Sequence, residues 1–344
     1  SLHIAHHAPA LGYHQRPPAC PYEGGGDVDH TAFHPARHQR RKHLEDGRGL
    51  GFRLFSRNVR TSGLGEIRYA HHLLQSGGGC DMKSDRPGHL GRDDNNTLAY
   101  HKSPGIAPGV VFLSGYQSDM SGTKAVALET ACTENSRAYV RFDYTGHGSS
   151  SGAFEDCVVS DWVADTLAIL DQCTDGPQVL VGSSMGGWIA LLAALARPDR
   201  IAGLVGIAPA PDFTEDLLLA KATDAERAVF ERDGVWRKPY GDGDDEFIVT
   251  KGLIDDGRKH LLLGDPIPIG IPVRLIHGTA DDVVPWETSQ RLMDALASTD
   301  VIFTPVDGAG HRMSEPHELD VVLATVEDLC RALEPQTRDA NPAR

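Results

Sequence analysis

From residue 109 onward, short β-branched runs alternate with amphipathic stretches of a dozen or more residues. The runs at 110–114, 138–143, 179–183, 203–208, 273–277 and 301–305 are short and mostly apolar, which predicts strands covered on both faces. Between them, the 3.6-residue spacing predicts helices over 123–134, 158–172, 185–196, 287–297 and 315–333. Pro285 stands just before the fourth of these, where its missing N–H is harmless. Such alternation is the mark of parallel βαβ units, so the expected class is α/β, with a mostly parallel central sheet flanked by helices. One charged stretch, 212–264, interrupts the rhythm, with a helix expected over 222–230 and a loop over 240–245. An insertion at that point predicts a small cap over the sheet edge.

The first 81 residues follow no such pattern. They hold 10 of the 17 histidines, together with Gly24-Gly25-Gly26, Gly77-Gly78-Gly79 and Arg40-Arg41-Lys42, but no sustained period of 2 or 3.6. The expectation is a non-catalytic, poorly ordered extension over 1–81, translated upstream of a start at Met82, with the catalytic domain spanning 82–344. A histidine-rich metal-binding tail is the functional alternative. It is disfavoured because these histidines lack regular spacing and no carboxylate or cysteine pattern accompanies them.

Charge sharpens the division. Residues 1–81 carry 10 basic and 7 acidic side chains, whereas the rest carries 23 and 41. A net charge of −15 argues against a nucleic-acid partner, because phosphate binding needs clustered positive charge. The six cysteines form no CxxC pair and no metal-ligand spacing, which predicts reduced, mostly buried thiols and a cytoplasmic protein. No apolar run is long enough to predict a membrane span.

The candidate chemistry centres on Val179-Leu180-Val181-Gly182-Ser183-Ser184-Met185-Gly186-Gly187-Trp188. This is an apolar strand, then G-x-S-x-G, then an Ala/Leu-rich helix. A serine on so sharp a turn projects its hydroxyl above the sheet, and glycines two positions either side allow close backbone approach. A serine hydroxyl needs a base. Downstream, His277-Gly278-Thr279-Ala280-Asp281-Asp282 ends one strand with a carboxylate, and Gly308-Ala309-Gly310-His311 follows the next. The reading is therefore Ser184 as nucleophile, His311 as base and Asp281 as the acid that orients it, with adjacent Asp282 the rival for the acid role. His277 reads as a hydrogen-bonded structural residue, and Ser183 as structural. His147, in the glycine-rich loop after 138–143, reads as part of a backbone-shaping turn near the site.

Acyl transfer also needs donors aimed at the developing oxyanion. The Met185 N–H, directly after the nucleophile, is the first candidate, and the Tyr116 N–H, in Ser114-Gly115-Tyr116-Gln117-Ser118, is the second. The side chains of Tyr116 and Gln117 have two open readings: lining an acyl pocket, or only packing the loop.

With D-x-x-G-x-G-x-S, G-x-S-x-G and H-G-x-x-D-x-x-V-P in this order over 105–334, the chain resembles the α/β-hydrolase superfamily. More narrowly, Phe112-Leu113-Ser114-Gly115-Tyr116, Arg141-Phe142-Asp143-Tyr144 and His311-Arg312-Met313 are similar to the acyl-protein thioesterase and acyl-glucuronide esterase branch and its bacterial relatives. Where many relatives carry His-Gly, this chain has Ser114-Gly115. The resemblance implies the α/β-hydrolase fold, the triad Ser184, Asp281 and His311, and ester or thioester hydrolysis with neither cofactor nor metal. The expected activity is that of a carboxylesterase acting through an acyl-enzyme on small-molecule esters with small to medium acyl groups. The same triad serves acyl-thioester hydrolysis and carbon–carbon bond hydrolysis of ring-cleavage products. A non-catalytic ligand-binding protein of this fold is the alternative of another class. No arginine-rich, acidic-poor presequence precedes Gly105, consistent with the cytoplasmic expectation.

Overall fold

The structure, a computed structural model, describes residues 86–92, 96–239 and 246–334. The expected extension over 1–81 and the expected loop over 240–245 lie outside these residues, as do Cys20 and Cys80. In chain order the elements of the first half are β1 (Gly88–Gly91), β2 (Thr97–Ser103), β3 (Ile106–Leu113), α1 (Thr123–Glu134), β4 (Arg137–Phe142), α2 (Val159–Cys173), β5 (Gln178–Ser183), α3 (Met185–Ala196) and β6 (Ile201–Ile207). Then follow α4 (Asp224–Asp233), β7 (Val235–Pro239), β8 (Glu246–Thr250), α5 (Lys251–Gly257), β9 (Val273–Gly278), α6 (Glu287–Ala295), β10 (Val301–Val306) and α7 (Pro316–Leu333).

Eight strands form one sheet in the order β1-β2-β4-β3-β5-β6-β9-β10. The pairs from β4 to β10 are parallel, while β1 with β2 and β2 with β4 are antiparallel. Except in β10, which ends the sheet and leaves Ile302 half exposed against the expectation of cover on both faces, the apolar runs are buried on both sides, with alternate residues pointing to opposite faces. Val111, Leu113 and Leu180 join the core under α2 and α3, whereas Val110, Phe112, Val179 and Val181 join the core under α1 and α7. All seven of these strand side chains are 4% exposed or less.

Register brings the strand ends into line. Leu113 pairs with Gly182, Ser183 with Ile207, Ile207 with Ile276, and Val306 with Gly278. The loops leaving β3, β5, β9 and β10 therefore emerge along one edge of the sheet.

The structure departs from the sequence reading at the margins. The strand expected at 110–114 begins earlier, at Ile106, and pairs with both β4 and β5. The helix expected over 222–230 runs instead over Asp224–Asp233. Its start is fixed by a capping box in which Thr223 Oγ1 accepts from the Glu226 N–H at 3.3 Å and the Glu226 carboxylate accepts from the Thr223 N–H at 2.7 Å. It ends at Gly234 in the left-handed region, φ 71°. Strands β1 and β2 were not foreseen, nor was the antiparallel β7–β8 hairpin within the insertion. The insertion also holds a π-helical segment, Thr214–Leu219. The four described cysteines, Cys132, Cys157, Cys173 and Cys330, are buried and unpaired. Among the described residues no helix is long and apolar enough to cross a membrane.

Leu180, fully buried at the centre of β5, sets a test of this packing. Leu180→Ala should lower unfolding free energy by about 2–5 kcal/mol. Val126→Ala, at an exposed position of α1, should shift it by less than about 0.5 kcal/mol. Urea unfolding of both variants distinguishes the two positions.

Candidate active site

Ser184 sits between β5 and α3 with φ 53° and ψ −119°, a conformation that side-chain-bearing residues seldom adopt and that costs about 1–3 kcal/mol. The neighbouring backbone holds it there: its N–H donates to the Ile207 carbonyl at 2.9 Å, and its carbonyl accepts from Gly187 and Ala210 at 2.9 and 3.0 Å. The two glycines of G-x-S-x-G are explained by contact. A Cβ on Gly186 would lie 2.2 Å from the Leu113 carbonyl oxygen, and one on Gly182 would lie 2.3 Å from the Gly186 carbonyl oxygen. No side chain fits at either position without moving β3 or α3.

The structure brings Ser184, His311 and Asp281 together. His311 Nε2 lies 3.1 Å from Ser184 Oγ, and its Nδ1 lies 2.8 Å from Asp281 Oδ2. The Asp281 side chain is fully buried, and His311 is 20% exposed. Asp281 Oδ1 accepts from the backbone N–H groups of Val283 and Val284 at 2.9 and 2.8 Å, a turn that its own side chain caps. Burial pushes this carboxyl upward, but hydrogen bonds from His277 and His311 outweigh that and hold it well below the usual carboxylate range. Asp282, the rival, is exposed. Of the two carboxylates, Asp281 is the one that His311 contacts.

His277 is hydrogen-bonded, as the sequence suggested, and its partner is the acid itself. Its Nε2 lies 3.1 Å from Asp281 Oδ2 and 3.0 Å from the Val284 carbonyl, so this nitrogen carries the proton and donates to both; its Nδ1 faces Ser289 Oγ at 2.8 Å. The i, i+4 spacing of His277 and Asp281 around a strand end was the available signal.

The loop after β4 is a shaped turn. Asp143 accepts from the Met120 and Ser149 N–H groups at 2.7 and 2.8 Å, tying this loop to the one after β3. His147 is buried among Tyr144, Phe154 and Trp162, and burial pushes its imidazole down to about 4 against the pull of the Thr145 carbonyl. Ser183 is likewise buried, as the last residue of β5.

Both candidate oxyanion donors border the nucleophile. Met185 opens α3, so its N–H has no carbonyl within the helix to serve and points outward at the helix N-terminus. Tyr116 follows Gly115, where a Cβ would lie 3.4 Å from Ser184 Cβ. Around Ser184 and His311 opens a cavity of about 440 Å³, whose lining includes the apolar or aromatic Tyr116, Phe213, Leu217, Leu218, Phe247 and Val283. Lys124 and Arg312 also line it. Burial pushes the Lys124 ammonium down to about 8, and its Nζ donates to the Arg312 carbonyl next to His311.

Comparison with known proteins places this arrangement among relatives. Residues 110–325 match the model of the "Alpha/beta hydrolase family". The human mitochondrial palmitoyl-protein thioesterase ABHD10 is 41% identical over 241 residues, covering 70% of this chain and 78% of that protein, and the bovine protein matches to the same extent. Among solved structures, mouse alpha/beta hydrolase domain-containing protein 10 aligns with a TM-score of 0.66 at 38% identity, covering 72% of this chain and 99% of that one. A putative hydrolase from Agrobacterium vitis S4 aligns with a TM-score of 0.68 at 35% identity, covering 71% and 97%.

Replacing Asp281 by Asn should reduce kcat for p-nitrophenyl butyrate by about 10³- to 10⁴-fold, whereas Asp282→Asn should change it by less than about twofold. The reverse ranking would hand the acid role to Asp282. A second outcome follows from the depressed Asp281 carboxyl. A folded-state value below the unfolded one stabilises the fold above the unfolded value and is lost as pH falls through the acid range. Urea midpoints measured downward from about pH 5 should therefore fall more steeply for the wild type than for Asp281→Asn.

Proposed function

The chain belongs to the α/β-hydrolase family, and from that premise we propose that it is a serine-dependent acyl-thioester hydrolase working through an acyl-enzyme. The observation that carries the reading is the contact of Ser184 Oγ with His311 Nε2 at the mouth of an apolar cavity. In this reading His311 Nε2 takes the Ser184 proton as Oγ attacks the acyl carbon. Asp281 holds the imidazole through Nδ1–H and stabilises the imidazolium. The Met185 and Tyr116 amides receive the oxyanion. Collapse of the tetrahedral intermediate expels the thiolate, which takes the proton from His311. Water then attacks the acyl-serine with His311 again as base, and Ser184 is restored.

The sequence alone put oxygen esters first. The names carried by relatives at about 41% identity move thioesters ahead of them. The chemistry agrees, because a thiol of pKa about 8.5 leaves with less help from His311 than an alcohol does. The apolar wall formed by Phe213, Leu217, Leu218 and Phe247 suits the acyl chain. Oxygen esters then remain turnover substrates of the same machinery.

Two measurements test the reading. A fluorophosphonate should label the wild type and not Ser184→Ala, and an acyl thioester should be turned over by the first only. Across a series of acyl thioesters, kcat/KM should climb roughly fourfold per added methylene until the cavity is full, as about 0.8 kcal/mol per buried CH₂ dictates. Labelling retained by Ser184→Ala would remove Ser184 from the nucleophile's role, and a flat series would remove the cavity from acyl binding.

A further inference from the structure

The side chains of Tyr116 and Gln117 line the cavity, one of their two open readings, and both also grip the backbone of β8. Gln117 Nε2 donates to the Glu246 carbonyl at 2.8 Å, and its Oε1 accepts from the Ile248 N–H at 3.1 Å. The Tyr116 hydroxyl donates to the Ile248 carbonyl. These three backbone groups lie on one edge of β8, since in an extended strand the carbonyl of one residue and the amide two residues on face the same way. The other edge of β8 faces β7, with Phe247 opposite Lys238 and Val249 opposite Trp236. One carboxamide thus offers the hairpin what a third strand would offer, an N–H and a C=O side by side.

The backbone of this loop is not relaxed without that grip. Gln117 has φ 53°, in the left-handed region that suits glycine better than a residue with a Cβ. Its neighbour Tyr116 carries the candidate second oxyanion donor, and on the far side Gly115 abuts Ser184. The Tyr116 amide is therefore held between a contact with the nucleophile and a two-pronged bond to the cap. The ring of Tyr116 reinforces the arrangement by packing against Phe247 of β8 at 5.2 Å and Phe213 at 5.5 Å.

We infer that Gln117 is a positioning residue for catalysis: by binding the edge of β8, its carboxamide fixes the Tyr116 N–H where the oxyanion forms. The cap hairpin is thereby part of the catalytic frame as well as a wall of the acyl cavity. This inference rests on the acyl-transfer reading proposed above. An oxyanion forms only in the transition state, so a displaced donor lowers kcat and leaves ground-state binding of a small substrate in place.

The test uses the full chain carrying Gln117→Ala, the near-isosteric Gln117→Glu, or Tyr116→Phe. Thermal melting establishes that each is folded, and p-nitrophenyl acetate and a short acyl thioester serve as substrates. Gln117→Ala should lower kcat about 10- to 100-fold with KM within about twofold, and Gln117→Glu, which presents oxygen to the Glu246 carbonyl, should lose a comparable factor. Tyr116→Phe, missing one bond, should lose less. An alkyl trifluoromethyl ketone, which forms a tetrahedral oxyanion adduct with serine, should weaken by the same factor as kcat. A purely structural role would instead raise KM for long acyl chains and leave acetate kcat and ketone affinity intact, and that result overturns the inference. If Gln117→Ala does not fold, the same comparison is made on Gln117→Glu and Tyr116→Phe. A wild type that is active and labelled, with folded variants at wild-type kcat, sinks this inference alone. A wild type that neither labels nor turns over substrate fails the reading of Ser184 and takes the inference with it.

Discussion

A buried, ionised carboxylate is the constraint around which this site is arranged. Asp281 is shielded from water, and a bare charge there would be untenable. Four donors meet it: two backbone amides on Oδ1, and the imidazoles of His277 and His311 on Oδ2. Each donor comes with a piece of the fold. The amides define the turn after β9, His277 anchors the end of β9, and His311 brings in the loop after β10. Satisfying one charge fixes three segments relative to one another, and the position of His311 over Ser184 follows.

The rest of the frame is steric. The turn at Ser184 brings α3 so close to β3 that only glycine fits at 186, and so close to β5 that only glycine fits at 182. Parallel register then carries that turn to the same edge as the loops after β9 and β10. Electrostatics position the imidazole and packing positions the hydroxyl, and the two meet at 3.1 Å.

Much of this was legible in the chain because it is written locally. A mostly apolar run reads as a strand of a parallel sheet, and β3, β4, β5, β6, β9 and β10 are such strands, although β10 at the sheet edge is only partly covered. G-x-S-x-G states its own steric reason. Strands β1 and β2, at one end of the sheet, were missed because Gly88–Gly91 and Thr97–Ser103 lack the run of β-branched residues that marks a buried strand. The β7–β8 hairpin was hidden for a similar reason, since Val235–Pro239 mixes one tryptophan with basic residues and ends in proline. Asp281 could be preferred to Asp282, yet only the amides of Val283 and Val284 explain the preference. The partners of Tyr116 and Gln117 were beyond reach of any local pattern. They are backbone atoms of β8, on a strand more than a hundred residues away, and carry no side-chain signature.

That last feature bears on how the protein can diverge. The anchors on β8 are peptide groups, so they survive almost any replacement at 246, 247 or 248 except proline at 248, which would delete the N–H that Gln117 accepts. Residue 247 can vary without loss of those backbone anchors, although its ring packs 5.2 Å from that of Tyr116, so the lining of the cavity and the grip on the loop after β3 are only partly separable. The cavity wall and the loop beside Ser184 thus share a strand, yet inheritance can change the side chains of the first while keeping the peptide groups that hold the second.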